Sequence, residues 1–459
     1  MAETRRYDLV VIGGGPGGYP AAVHAAQMGL RVALVEARAL GGECTNYGCI
    51  PTKALRRIAL AADIVSSVGR VELERGKLIR EAMRVVDRIR AGIEQLLEGY
   101  DIDVIRARAR LRPGGIVEAG NLVLEAEKVV LAPGTEPWSP PGLEPDGRQV
   151  HDNRSFLSLE ELPQRLLIVG GGPIGVEYAD IMARLGVEVY LVELMPRLLP
   201  GMDRDLSLTA KRWLRSLGVK VYTSTRIARL ERGKNNVEAV LENGERIETD
   251  AVLVATGRRP STHGMGLEEA GVELDEKGYI KVDDYMATSA PGVYAAGDAA
   301  GPPLLAHKAM AQSIVAGVNA AGGKAVYKQK AVPMVVYMEP ELAQVGYTLE
   351  EARKAGLDAA ETRIRLGGIA SAVMEGAEAG LVKIVYEERS LRVLGVVAAA
   401  PRASEFIAEV ALAVEKGVTL EELASVVHPH PSVSEALQEV AEVALGRPTH
   451  YMTRRVRRR

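Results

Sequence analysis

The sequence predicts an α/β protein with two doubly wound, parallel-sheet domains and a C-terminal α+β domain. Three observations carry that expectation. Residues 7–36 read as strand, glycine-rich turn, helix and strand, and the second strand ends in Glu36. Residues 165–193 repeat the design and end in Glu193. From Ala331 strands and helices continue with no such glycine turn, and two repeats followed by a change of pattern read as separate folding units.

A chain of 459 residues is too long for one core and should hold roughly two to four domains. Charged residues make up 25% and hydrophobic residues 47%, the proportions of a soluble globular protein. The net charge of −3 gives no general affinity for nucleic acid or an anionic membrane. The apolar runs break at glycines too soon to span a bilayer or to form a signal-peptide core. Two cysteines and no export signal point to a reducing cytoplasm, where a disulfide is usually catalytic.

Taken in order, YDLVVI (7–12) has the continuous apolar character of a parallel strand buried on both faces. GGGPGG follows, with Gly13, Gly15 and Gly18 in the G-x-G-x-x-G frame. Glycines let the backbone turn tightly and approach a pyrophosphate at the helix N-terminus. Glu36 is placed to accept hydrogen bonds from a ribose. Alone, the frame is weak evidence; set between strand, helix, strand and terminal acid, it is strong. Pro20, early in the helix, is expected to remove one bond and kink it mildly. His24 on the same helix reads as an ordinary surface or half-buried histidine.

GGECTNYGCIPTK (41–53) comes next and holds Cys44 and Cys49, the only cysteines of the chain. Pro51 is expected to favour the local bend that brings the sulfurs together. So small a loop adds little stability. A redox pair cycling between disulfide and dithiol explains it better. An apolar-periodic stretch, KALRRIALAADIV, follows. Residues 76–100 have helical periodicity with alternating charge, and 101–141 read as short strands leading into the linker PWSPPG.

The second fingerprint places Gly170, Gly172 and Gly175 in the same frame. Two dinucleotide sites in one chain suit a flavin that accepts hydride from a nicotinamide. Glu193 favours NAD over NADP, because its carboxylate repels a 2′-phosphate and can bond a free 2′-hydroxyl. Lys53 and Glu177 each follow a motif closely enough to be aimed at the flavin ring. DAVLVATGRRP ends the second unit near Gly257. A later strand ends in Gly297-Asp298, leaving a carboxylate for ribityl hydroxyls. The next helix begins near Ala306, where first-turn amides can stabilise negative charge on a reduced flavin. The expected division is a flavin-binding domain over 1–147 and 271–332, a nicotinamide-binding domain over 148–270, and an interface domain over 333–459. No metal site is expected.

VVHPHPSVSE lies near the C-terminus. His430 and Glu435 are five apart across a turn, so the carboxylate can orient the imidazole. His428 is the competing base. The flanking prolines predict a rigid loop and a cis His430–Pro431 bond. A base is needed because an ordinary thiol is only about 3% ionised at pH 7.

Together these motifs resemble the pyridine nucleotide-disulfide oxidoreductases over about residues 7–446. The resemblance rests on GGECTNYGCIPTK, GGGPGG, AAGDAAG and HPHPSVSE. IPTK, LAHKA and Glu193 are most similar to the members that oxidise dihydrolipoamide with NAD⁺. Thr45 and Tyr47 stand where aliphatic residues are usual, APGT ending in Thr135 stands where ATG is common, and MAQS replaces an acidic run after LAHKA. The resemblance implies FAD and NAD as cofactors, with Thr135 in the FAD set. It implies that Cys44 is the interchange thiol, that Cys49 faces the flavin, and that Lys53 and Glu177 pair beside the flavin ring. It further implies a homodimer in which His430, held by Glu435, serves the partner's thiol pair. The substrate is then dihydrolipoamide, free or on a lipoyl-bearing protein of a 2-oxo acid dehydrogenase or glycine-cleavage complex. Two other readings compete. One is an NAD(P)H-dependent reductase of another small disulfide. The other is a flavoprotein scaffold for nucleic acid or an acidic partner, resting on RRVRRR (454–459), a run that is ordinarily a solvated tail.

Overall fold

In a computed structural model, residues 3–452 are described; the arginine run at 454–459 lies outside them. The chain forms two compact units, one of residues up to Pro163 with Ala251–Lys328, the other of Gln164–Asp250 with the residues from Gln329 on.

The first unit is built on β1 (Glu3–Ile12), α1 (Tyr19–Gln27), β2 (Val32–Glu36), α2 (Gly42–Tyr47), α3 (Cys49–Ser66) and α4 (Arg75–Gly99). β1 pairs in parallel with β2 and with strand Leu122–Leu131, and strand Val293–Ala295 pairs in parallel with Leu122–Leu131. The glycine-rich turn thus leaves the C-terminal end of a strand flanked on both sides. Leu9 and Val11 pack into one core cluster, with α1, while Val10 and Ile12 pack into another. Both faces are covered, which is why the strand reads as a continuous apolar run. β1 begins four residues before the apolar run, with an exposed end pairing Glu3 with Leu122.

Two proline expectations are corrected. Pro20 sits in the first turn of α1, where its missing N–H has no helical partner to lose, and no bond is forfeited. The bend between the cysteines is made at Gly48, which separates α2 from α3; Pro51 lies inside the first turn of α3. A Cβ on Gly48 would lie 3.1 Å from the Glu43 carbonyl oxygen, so a side chain there would press on that carbonyl.

The second unit repeats the nucleotide-type design. Strands Arg165–Val169, Glu188–Val192 and Lys220–Tyr222 run parallel, and helix Pro173–Arg184 follows the glycine turn. The rest of the unit holds a five-stranded antiparallel sheet backed by helices Ala403–Lys416 and Glu435–Ala444. Buried Lys383 of that sheet reaches Asp203 (2.8 Å) and Asp205 (3.2 Å), tying the sheet to the N-cap of helix Arg204–Ser216. Among the described residues no helix is long and apolar enough to cross a membrane.

Candidate active site

The glycine frames are matched in detail. The Gly13 amide donates to the Val35 carbonyl (2.8 Å), and the Gly170 amide to that of Val192 (2.8 Å). Gly13 has φ +109° and Gly170 φ +108°, in the left-handed region that favours glycine. A Cβ on Gly18 would sit 1.8 Å from the Gly13 carbonyl oxygen, and one on Gly175 1.9 Å from that of Gly170. The terminal acids close both turns. Glu36 Oε2 accepts from the Gly14 amide (2.7 Å), and Glu193 Oε2 from the Gly171 amide (2.6 Å). Each carboxylate keeps lone pairs for a ribose. Gly15 leads into α1, while Gly172 caps helix Pro173–Arg184, whose first amides lack a side-chain cap. A pyrophosphate at such an N-terminus is stabilised by those amides and the helix dipole.

In the first unit three motifs converge backbone on backbone. A Cβ on Gly15 would meet Gly42 Cα at 3.5 Å, and one on Gly17 would meet Gly297 Cα at 3.2 Å. The fingerprint therefore touches both the cysteine motif and AAGDAAG, as an extended flavin nucleotide requires. The cradle fits FAD.

Asp298 lies in the 3₁₀ turn Gly297–Ala300, just beyond the strand end expected to carry it. Burial pushes its carboxyl up, against Arg258, Thr135 and Lys308. Thr135 is buried and donates from Oγ1 to Asp298 Oδ2 (3.2 Å). Ala306 is the first residue of helix Ala306–Ala320, which has no side-chain cap. The polar pair of MAQS has a structural reason. Gln312 Oε1 accepts from the Gly297 amide (3.1 Å), and Ser313 Oγ accepts from the Ala21 amide in the first turn of α1 (2.9 Å). Gly257 lies at φ +140°, and its carbonyl accepts from the Trp138 amide (3.0 Å).

Cys44 lies in the middle of α2, and Cys49 opens α3; both are half-buried thiols. A hydrogen bond from the Cys44 thiol to Cys49 and burial push the Cys44 thiol up, with Lys53 opposing. Lys53 lies in α3, one turn beyond Cys49. In the second unit, Glu177 is buried in helix Pro173–Arg184, and its Oε1 accepts from the Tyr337 amide (2.9 Å).

His430 and Glu435 meet as expected, Nδ1 to Oε1 at 2.9 Å. Glu435 Oε2 accepts from the Ser432 amide (2.8 Å), so both carboxylate oxygens are held. The His430–Pro431 peptide is cis, as predicted. The His430 side chain is 71% exposed, whereas that of His428 is 4% exposed and bonded to Glu409 (3.2 Å). Of these two, only His430 has an exposed ring nitrogen. With Nδ1–H donated to Glu435, that nitrogen is Nε2.

The sequence did not single out a half-buried polar group around the thiol helix: Glu43, Asn153, Arg154 and Arg258. It also missed a further imidazole–carboxylate pair, His450 Nδ1 to Glu439 Oε1 at 2.5 Å, one helical turn beyond Glu435. Among the described residues no group of three or more His, Cys, Asp or Glu side chains is placed to hold a metal ion.

The chain resembles known proteins along nearly its whole length. It is 43% identical to the dihydrolipoyl dehydrogenase of Thermus scotoductus, over 98% of this chain and 100% of that one. It is 36% identical to the dihydrolipoyl dehydrogenase of Haloferax volcanii, over 97% and 98%. LpdA from Mycobacterium tuberculosis superposes with a TM-score of 0.89 at 29% identity, covering 96% of this chain and 99% of that one. The HOCl-induced flavoprotein disulfide reductase RclA from Escherichia coli superposes at 0.87 and 30% identity, over 95% and 100%. Residues 7–313 match the pyridine nucleotide-disulphide oxidoreductases, and residues 332–441 match the dimerisation domain of the same proteins. The chain belongs to the pyridine nucleotide-disulphide oxidoreductase family.

Proposed function

We propose that the protein is an NAD-dependent dihydrolipoamide dehydrogenase, a homodimeric FAD enzyme that converts dihydrolipoamide and NAD⁺ to lipoamide and NADH. The observation that carries this reading is the Cys44–Cys49 thiol contact, held in the same unit as the flavin cradle. The relatives' names supply the lipoyl substrate.

Bound FAD supplies the two-electron relay between the sulfur pair and NAD⁺. The protein residues carry out the thiol chemistry. One thiolate of dihydrolipoamide attacks Cys44 Sγ of the Cys44–Cys49 disulfide, and Cys49 leaves as thiolate. The second substrate sulfur then attacks the mixed disulfide, closing lipoamide and releasing Cys44. His430 of the partner subunit takes the substrate protons at Nε2, and Glu435 holds the ring and stabilises the imidazolium. Lys53 and Glu177 would serve the flavin ring, as the resemblance implies. The described cradle of Gly13, Gly15, Gly18, Glu36, Thr135, Asp298 and Ala306 holds FAD, and Gly170, Gly172, Gly175, Glu193 and Gly257 hold NAD. A lipoyl-bearing protein of a 2-oxo acid dehydrogenase or glycine-cleavage complex, in the cytoplasm, fits this chemistry.

Thiol counting tests the reading, since the chain has two cysteines and no others. The oxidised holoenzyme should show no reactive thiol. Anaerobic dihydrolipoamide should expose two, at Cys44 and Cys49, and NAD⁺ should then return them to the disulfide with NADH formed. A holoenzyme that reduces another small disulfide but ignores lipoamide defeats the assignment.

Nucleotide choice gives a second test. Glu193→Gln keeps an acceptor for the Gly171 amide and removes the charge facing a 2′-phosphate. The kcat/KM ratio of NADP⁺ to NAD⁺ should rise about tenfold or more, about 1.4 kcal/mol of lost discrimination. An unchanged ratio would place the selecting group elsewhere.

A further inference from the structure

We propose that Glu43 is a positioning residue: its carboxylate clamps the short helix bearing Cys44 and so sets how readily the Cys44–Cys49 disulfide closes. The proposal rests on the redox role of that pair given above.

α2 is six residues long, and its N-cap, Gly41, supplies no side-chain cap. A helix of that length has little stability of its own in water. Its position must come from outside, and Glu43 in its first turn gathers several outside contacts. Glu43 Oε2 accepts from Arg154 Nε (2.9 Å) and Nη2 (2.7 Å). Oε1 accepts from Asn153 Nδ2 (2.8 Å) and pairs with Arg258 Nη2 (3.2 Å). The same Asn153 amide donates to the Tyr47 carbonyl (2.9 Å), so it grips both the first and the last turn of α2. The Arg154 guanidinium lies 5.8 Å from the centre of the Tyr47 ring. The unusual aromatic residue between the cysteines therefore belongs to this clamp.

Both anchors are fixed in turn. Asn153 and Arg154 open a helix capped by Asp152 and Ser155 in a reciprocal capping box. Arg258 donates from Nε to Thr135 Oγ1 (2.8 Å) and from Nη2 to the Thr135 carbonyl (2.9 Å), and Thr135 donates to Asp298. The chain of contacts thus runs from the thiol helix to the carboxylate assigned to the ribityl chain. Burial alone would raise the Glu43 carboxyl; Arg258, Arg154 and Asn153 outweigh it and hold the group below its ordinary value. It is ionised at neutral pH, and charge-assisted bonds to guanidinium are the strong kind.

The two thiols sit on different helices. Disulfide closure therefore depends on α2 being held against the start of α3, an effective-concentration term that the clamp supplies. Loosening it favours the open dithiol.

The test measures the holoenzyme in dithiothreitol redox buffers without nicotinamide. Two electrons and two protons pass from dithiothreitol to the protein disulfide, giving oxidised dithiothreitol and two protein thiols, which are counted by alkylation. Glu43→Ala and Arg154→Met are each expected to shift the equilibrium toward the dithiol about tenfold, or about 30 mV. The double variant should shift it little further, because both remove one contact. Arg154→Met leaves Glu43 its bonds to Asn153 and Arg258 and gives a folded variant if Glu43→Ala does not. FAD content and thermal midpoint are recorded alongside. An equilibrium that stays at the wild-type value in a folded, FAD-loaded variant, or that moves toward the disulfide, overturns the proposal even if the thermal midpoint falls. The measurement needs no lipoamide, so failure of the lipoyl assignment leaves it standing.

Discussion

Cys44→Ser is expected to abolish dihydrolipoamide oxidation, by about three orders of magnitude or more, because residues acting as one unit fail together. Reduction of an artificial dye by NADH should continue in the same variant, since that reaction bypasses the sulfur pair. The two cysteines are not equivalent. If Cys44 is the interchange thiol, then in Cys49→Ser it can still join a substrate sulfur, but nothing displaces that sulfur internally. An acyclic disulfide, whose leaving thiol departs on exchange, should therefore leave a stable mixed disulfide on Cys49→Ser, visible by mass spectrometry, and none on Cys44→Ser. The reverse pattern would exchange the roles, and turnover by Cys44→Ser would end the mechanism. The structure explains why the pair needs help. The hydrogen bond to Cys49 and burial both push the Cys44 thiol up, and Lys53 offsets them only in part. A thiol so placed is a poor nucleophile until a base acts.

Much of this site could be read from the chain because its chemistry demands particular residues at fixed spacing. A pyrophosphate turn requires Gly13 and Gly18, or Gly170 and Gly175, because a Cβ at Gly18 or Gly175 would overlap the carbonyl of the first glycine. The distance to Glu36 or Glu193 is set by one helix and one strand, so the acids too fall at a predictable place. The His430–Glu435 contact was legible for the same reason, five residues of one loop. Contacts between distant segments were not. Glu43 meets Asn153 and Arg154 across more than 100 residues and Arg258 across still more, and nothing local marks those partners. The bend at the cysteines was assigned to Pro51 because proline breaks helices; in the first turn it breaks nothing, and Gly48 makes the junction instead. Gln312 and Ser313 looked like departures from a pattern and prove to bond the Gly297 and Ala21 amides.

His430→Gln should lower kcat for dihydrolipoamide oxidation about 10²- to 10⁴-fold, the range for loss of a positioned general base. The loss should depend on pH in a way that identifies the missing function. Without His430 the reaction relies on substrate that is already ionised, and an ordinary thiol has a pKa of about 8.5. The rate of the variant should therefore climb about tenfold per pH unit below that value, and the deficit against wild type should shrink toward alkaline pH. Glu435→Gln should cost less, because it leaves the imidazole in place and removes its orientation and the charge that stabilises the imidazolium. Acidification does not substitute for that mutation. Burial would raise the Glu435 carboxyl, but the Ser432 amide and His430 outweigh it and hold it below its ordinary value. A depressed carboxyl contributes above its unfolded pKa and loses its effect only as pH falls through the lower folded value. The orienting charge thus persists from neutral pH down to below the ordinary carboxylate range. A His430→Gln deficit constant from pH 6 to pH 9 would mean the residue shapes the site without moving protons. Equal losses of dithiol oxidation and NADH-to-dye reduction would mean that it supports the fold instead.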